Sequence, residues 1–262
     1  MPMICICSPQ GGSGRTMLAA NLASAYAHRG NKVLLIDLCV QNALRLHFNL
    51  SLADGHGFVP HALTAPDWSQ FILKVDTNLY LLPYGEATWE QHAAFERLLS
   101  EKPEAVRRSL AGITKHQGLV IVVDMPAGPH PALRALHELI DLHIVTLLAD
   151  GIAPVLLEKI EKQTFLGIPL NKNGQHCFVV NQTDPRYEMN HDIGVYLKQR
   201  MGDRLLGDIH HDSSVPAALA SQKPLRRYRP ASAALFDIDT LEQQLSGLLN
   251  ITVGNNDALP TL

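Results

Sequence analysis

The fold class this sequence predicts is α/β, a single doubly wound domain around a mostly parallel sheet, and three observations lead there. Six short apolar runs alternate with longer segments of helical character. Several of those runs are apolar at consecutive positions, which suits strands covered on both faces. The 262 residues, 46% hydrophobic and 18% charged, are enough for one large core without disulfide or metal staples.

The first run is MICICS (3–8), followed by TMLAANLASAYAHRG (16–30), a helix of small and apolar residues stopped by Gly30. KVLLID (32–37) completes a strand–helix–strand unit. LYLLPY (79–84) reads as the third strand. Residues 91–108 mix Glu, Arg and apolar positions at helical spacing, as a surface helix or a partner groove does. LVIVVDM (119–125), HIVTLLAD (143–150) and HCFVVN (176–181) are further buried strands. The predicted nucleotide-binding domain covers residues 1–250, and the polar Gly/Asn-rich tail 251–262 is expected to fray.

Twenty-two Lys and Arg stand against 25 Asp and Glu, so no global field draws the chain to nucleic acid or anionic lipid. The four cysteines, Cys5, Cys7, Cys39 and Cys177, form no C-x-x-C pair, which speaks against a disulfide or zinc framework and for a reducing cytosol. Cys5 and Cys7 share one face of the first strand, where small buried residues are the ordinary occupants. Residues 1–7 lack the pattern of a signal peptide, and no apolar stretch is long enough to span a membrane. A cytoplasmic protein is expected, reaching a membrane only through partners.

The most informative segment is Ser8-Pro9-Gln10-Gly11-Gly12-Ser13-Gly14-Arg15-Thr16, between the first strand and the first helix. Three glycines in four positions let successive N–H groups turn inward, and the positive end of the following helix adds to them, forming a cradle for phosphates. Thr16 is placed to offer its hydroxyl to magnesium. The competing interpretation is a glycine-rich turn with no ligand, which a first strand–helix unit disfavours. Asp37 closes the second strand, with Cys39 two residues on. Asp124-Met125-Pro126-Ala127-Gly128 follows a buried strand, where a carboxylate would hold magnesium through water.

These segments resemble the ParA/MinD family of ATPases, in family order over residues 3–225. The loop corresponds to that family's K-G-G-x-G-K-T, with Gln10 in place of the signature lysine, Arg15 in place of the ordinary phosphate-loop lysine and Pro9 at the first glycine. The resemblance implies a P-loop fold, ATP and magnesium as ligands, and a dimer in which the signature lysine reaches the partner's nucleotide. It implies nucleotide contacts at Gln10, Gly11, Gly12, Ser13, Gly14, Arg15, Thr16, Met17, Gly128, Asn181, Arg186 and His210, with Gly128 offering its N–H to a γ-phosphate. Asn181 would read adenine, and His210 stands where the family has a proline beside the base. Magnesium would be held by Thr16, Asp37 and Asp124. Cys39 occupies the position of the water-orienting aspartate; a neutral thiol is a poor acceptor, so Cys39 reads as a small apolar strand-end residue more readily than as a reactive thiol.

Asp37-Leu38-Cys39, residues 42–49 (NALRLHFN), residues 81–85 (LLPYG), His210-His211-Asp212 and residues 220–225 (ASQKPL) further resemble the Q-subunit family of bacterial cellulose secretion systems. That resemblance implies a cytosolic, ATP-dependent homodimer that docks on the cellulose synthase complex with a small BcsR-type subunit. With the carboxylate at position 39 and the lysine at position 10 both replaced, slow or absent turnover is expected and no catalytic residue is assigned. The alternative is a cycling ATPase that positions another cargo, a membrane complex or DNA. The last 40 residues offer no basic amphipathic face for lipid. Arg226, Arg227 and Arg229 form the one dense basic cluster, which suits a solvated loop or an acidic protein better than nucleic acid. The 13 histidines show no metal-ligand spacing, and the chain lacks the mid-sequence cysteines of an iron–sulfur reductase and the G-x-S-x-G elbow of a hydrolase.

Overall fold

β1 (Met3–Cys7) is apolar and buried at every position, and its two faces feed different cores. Met3, Cys5 and Cys7 join one core, Ile4 and Ile6 the other. A strand at the centre of a two-sided sheet has no solvent face, so it has no reason to alternate. The computed structural model describes residues 1–51, 53–116, 118–162, 166–167 and 175–252. In it, β1 is followed by β2 (Lys32–Asp37), β3 (Leu73–Asp76), β4 (Leu79–Leu82), β5 (Leu119–Asp124), β6 (Leu142–Leu148), β7 (Gln175–Thr183) and β8 (Leu205–His210). They form one sheet in the order β3-β4-β2-β5-β1-β6-β7-β8. Every neighbouring pair is parallel except β3 with β4. The predicted α/β class with a mostly parallel sheet is the observed one.

Helices cover both faces. α1 (Arg15–His28), α7 (Ser214–Ala220), α8 (Leu225–Tyr228) and α9 (Ala233–Leu248) supply Leu18, Leu22, Tyr26, Ala218, Leu225 and Ile238 to one core. α2 (Trp89–Glu101), α3 (Pro103–Leu110), α4 (Pro131–Leu136), α5 (Ala153–Glu161) and α6 (Glu188–Met201) supply Phe95, Leu110, Leu133, Leu157 and Leu197 to the other. The alanines of α1 let its backbone lie close to the sheet, and the chain leaves the helix through Gly30 at φ +89.

Two expectations are corrected. Residues 91–108 are not one helix but two: Pro103 lacks the N–H that a helix interior requires, and Lys102 before it leaves helical geometry at φ −133, ψ 54. The first of the pair opens on a reciprocal cap between Thr88 and Gln91. β3 and β8 lie outside the six apolar runs because they are edge strands, where half-exposed positions leave a weak hydrophobic signal. Within the tail, Ile251 packs on the core that α1 and α9 share and donates its N–H to the Ser246 carbonyl at 2.8 Å. Residues 253–262 lie outside the described residues. No described helix is long and apolar enough to cross a membrane.

Among the polar side chains buried in the sheet, one is an imidazole on β6. His143 on β6 is fully buried, opposite His176 of β7 and 5.6 Å from the His137 ring, and neither ring nitrogen finds a hydrogen-bond partner among the described residues. Burial, then the two neighbouring imidazoles, lowers its pKa to about 3; burial lowers that of His47 to about 4. The unfolded chain takes up these protons near pH 6.5 and the folded chain does not, so stability falls as pH drops below that value. Each site contributes a slope of up to about 1.4 kcal/mol per pH unit. We expect His143→Leu to flatten the loss of stability between about pH 6.5 and 4.5 in denaturant titrations; an unchanged slope would refute the assignment.

Candidate nucleotide-binding site

In a doubly wound sheet the loops at the carboxyl ends of the strands are the place for a ligand. Here β1 lies between β5 and β6, and its loop to α1 rises over that edge. The loop turns through two glycines in the left-handed region, Gly12 at φ +74 and Gly14 at φ +83. The flanking strands fix it from below. Ser13 is fully buried and bonds the Thr146 hydroxyl of β6 at 2.9 Å, which in turn donates to the Cys7 carbonyl at 3.3 Å. From β7, Asn181 Nδ2 donates to the Ser13 carbonyl at 2.8 Å and Gln182 Nε2 to the Gly12 carbonyl at 3.2 Å. Gly14 caps α1 with no side-chain oxygen, so the helix's first-turn N–H groups lack the usual internal acceptor. A Cβ built at Gly11 or Gly12 would meet nothing within 4 Å, so the space over the loop is open.

Beside the loop stand two carboxylates. The register of β2 with β5 sets Asp37 directly opposite Asp124, both with no solvent exposure. Asp124 Oδ2 accepts the Thr16 hydroxyl at 2.6 Å, and Asp37 Oδ1 accepts the Cys39 N–H at 2.9 Å. The second oxygen of each, Asp37 Oδ2 and Asp124 Oδ1, has no partner among the described residues. Burial pushes both pKa values up; Asp124 raises Asp37 further, while the Thr16 bond and Arg15 partly offset burial at Asp124. Two orphaned carboxylate oxygens beside a threonine hydroxyl are the donor set a hard divalent cation takes. The Thr16 hydroxyl spends its proton on Asp124 and keeps its lone pairs, so the residues present fit magnesium.

Cys39 is 5% exposed, its thiol held far above the ordinary value by burial and then by Asp124 and Asp37. Its Sγ lies 3.8 Å from the Asp124 carbonyl oxygen, to which it donates. A neutral, buried thiol is what a small apolar strand-end residue amounts to. All four cysteines are free and buried.

The remaining predicted residues divide into those facing the loop and those held elsewhere. Met17 packs beside Gly14, whose Cβ would come within 3.8 Å of its Cε. Gln10 points to Asp150 Oδ2 at 3.4 Å. Arg15 does not reach over its own loop: Nη1 donates to the Met125 carbonyl, tying the start of α1 to the end of β5. Gly128, at φ +74, uses its N–H on the Ser8 carbonyl at 2.8 Å rather than leaving it free. Arg186, its side chain 82% exposed, forks onto Asp184 at 2.8 and 2.6 Å. His210 bonds Asp237 of α9 through both Nδ1 and its backbone N–H. Asn181 is 1% exposed and its amide is engaged with the loop. Residues the sequence reading missed are Thr146 and Gln182, which brace the loop. Gln182 follows Asn181 directly, but only the strand order reveals that either meets residues 12–13.

Gly14 carries the tightest requirement. A Cβ there would sit 2.0 Å from Asn181 Nδ2 on a backbone already at positive φ. Gly14→Ala is expected to destabilise by about 1–3 kcal/mol. Asn181→Ala in the same chain should recover part of that loss, because it removes the clash and leaves the backbone strain. Melting curves of the three variants check this; a double variant no more stable than Gly14→Ala would remove Asn181 as the obstacle.

Comparison with known proteins agrees with this geometry. Residues 1–245 match the family model "Cellulose biosynthesis protein BcsQ". The BcsQ protein of Salmonella typhi is 29% identical over 235 residues, 88% of this chain and 89% of that protein. An Escherichia coli K12 BcsQ is 26% identical over 240 residues, 88% of this chain and 89% of that protein. Among solved structures, the MinD septum site-determining protein of Pyrococcus horikoshii OT3, complexed with Mg-ADP, superposes with a TM-score of 0.73 at 21% identity, over 95% of this chain and 98% of that one. A ParA family ATPase from Chlorobium tepidum TLS gives 0.75 at 18% identity, over 93% of this chain and 98% of that one. At those identities the structures speak for the fold, a ParA/MinD-type nucleotide-binding fold. The family match over nearly the whole length goes further: the chain belongs to the cellulose biosynthesis protein BcsQ family.

Proposed function

We propose that this chain binds ATP with magnesium as a cytosolic homodimer and serves as an accessory subunit of the bacterial cellulose synthase complex, together with a small BcsR-type subunit. It holds the nucleotide and hydrolyses it slowly or not at all. The observation that carries the proposal is the Thr16 hydroxyl bonded to Asp124 at 2.6 Å, under an open glycine loop and beside a second carboxylate with an unpaired oxygen.

In this reading Gly11, Gly12, Ser13 and Gly14 give backbone N–H groups to the phosphates, and the N-terminus of α1 adds its positive end. Thr16 contacts the cation, and Asp124 and Asp37 support it. Magnesium, when bound, offsets the charge of the phosphate oxygens and of this buried pair. Arg15 and Gly128 join the phosphates by exchanging their present carbonyl partners, Met125 and Ser8, for the ligand. Asn181 acts first as a brace that keeps the loop open, and reading adenine needs its unpaired Oδ1. Met17, Arg186 and His210 line the approach to the base, the last two by releasing Asp184 and Asp237.

Hydrolysis requires a group that orients and partly deprotonates water. Cys39 offers a donor hydrogen already committed to a carbonyl, and Gln10 offers an amide without charge. Removing one well-placed group from such a site commonly costs about 10²-fold in rate. Nucleic acid is disfavoured as a cargo because Arg226 pairs with Asp239 and Arg227 with Asp76, leaving less free charge for phosphates.

The test is chromatography of the nucleotide released from purified protein after incubation with magnesium. Intact ATP near one per chain is expected; steady conversion to ADP would instead restore a cycling ATPase that positions a cargo. Thr16→Ala and Asp124→Ala should each weaken magnesium-dependent ATP binding by at least about tenfold, and full affinity in both would overturn the site. Cys39→Asp should raise turnover, measured as phosphate release, and an unchanged rate would move the lesion to Gln10.

A further inference from the structure

The turn after β2 carries a thiol where two buried carboxylates already converge. One ligand atom from each of Asp37, Cys39 and Asp124 lies within 4.8 Å of the others. Each carboxylate keeps one oxygen without a partner among the described residues, on a side chain with no solvent exposure. The two guanidiniums nearest the pair in its electrostatics are engaged with carbonyls, Arg15 with Met125 and Arg45 with Ser51. Two buried acids with spare lone pairs therefore stand beside the softest ligand type a protein has, with ligand atoms up to 4.8 Å apart that draw together by about 1 Å to meet a tetrahedral ion. A metal with Zn–S near about 2.3 Å and Zn–O near about 2.1 Å holds its ligand atoms roughly 3.5 Å apart.

We propose that Asp37, Cys39 and Asp124 form a cation site of their own, selective for a thiophilic divalent ion such as Zn²⁺ or Co²⁺ and filled without nucleotide. The ion takes the Cys39 thiolate, Asp37 Oδ2 and Asp124 Oδ1, with water in the fourth position. The thiol proton leaves to solvent, and the S–H contact with the Asp124 carbonyl is given up. Asp124 Oδ2 stays on Thr16. Sulfur ligation sets the preference, because thiolates favour zinc-like ions whereas magnesium takes oxygen in octahedral geometry. The site shares two carboxylates with the nucleotide reading above but does not depend on it.

The probe is Co²⁺ alone, titrated into the nucleotide-free full-length chain under reducing conditions. One equivalent should produce a thiolate-to-cobalt charge-transfer band with tetrahedral visible absorption, and Zn²⁺ should displace it. Cys39→Ser should abolish the charge-transfer band and weaken Co²⁺ by about 10²-fold or more, while Cys177→Ser leaves both unchanged. Cys39→Asp guards against a folding defect: it should bind Co²⁺ through oxygen alone, with no charge-transfer band. No band in the parent chain, or a band that survives Cys39→Ser, overturns the proposal. ATP–magnesium binding measured on the same samples separates the two ideas, since a chain that fails to bind ATP but shows the cobalt band loses only the nucleotide reading.

Discussion

The register between β2 and β5 is the constraint on which the rest of the site depends. It sets Asp37 and Asp124 side by side at the carboxyl edge of the sheet, shut off from water. Isolated buried carboxylates are costly, and these two raise the difficulty for each other. Part of that cost is offset by the Cys39 N–H on one and the Thr16 hydroxyl on the other, while the second oxygen of each stays without a partner among the described residues. Thr16 reaches Asp124 only because α1 starts where the glycine loop puts it. The loop in turn holds that path because Thr146, Asn181 and Gln182 secure it from the neighbouring strands.

This chain of dependence explains why the departures from the ParA/MinD pattern are tolerated structurally. None of Pro9, Gln10 and Arg15 takes part in the contacts by which Thr146, Asn181 and Gln182 hold residues 12–13; Gln10 reaches Asp150 instead. Arg15 keeps a structural task by tying α1 to Met125. Cys39 sets a buried, neutral thiol beside an already unfavourable carboxylate pair, so it adds no charge to their repulsion.

Elsewhere the basic cluster that invites a nucleic-acid reading is largely spent within the fold. Arg226 and Arg227 fasten α8 to α9 and to the β3 edge. Local charge density in a sequence says little about a field until the partners are known. The edge strands make a related point. β3 and β8 have one neighbour each and half-exposed side chains, so the hydrophobic period that exposes the central strands is diluted in them.

Residues close in the chain were legible from the sequence. The apolar runs of β1, β2 and β5, the small-residue helix α1, the glycine loop and the two strand-end aspartates all announce themselves through composition over a few positions. Their fold class follows, because a strand buried on both faces requires helices on both sides. Only the tertiary structure decided the contacts between distant segments. It alone set Asn181 and Gln182 against residues 12–13, Thr146 under Ser13, and His210 on Asp237. The reason is physical: strand order and register are fixed by the whole core packing at once. A hydrogen bond between residues 168 positions apart, such as Asn181 to Ser13, leaves no periodic mark in the sequence.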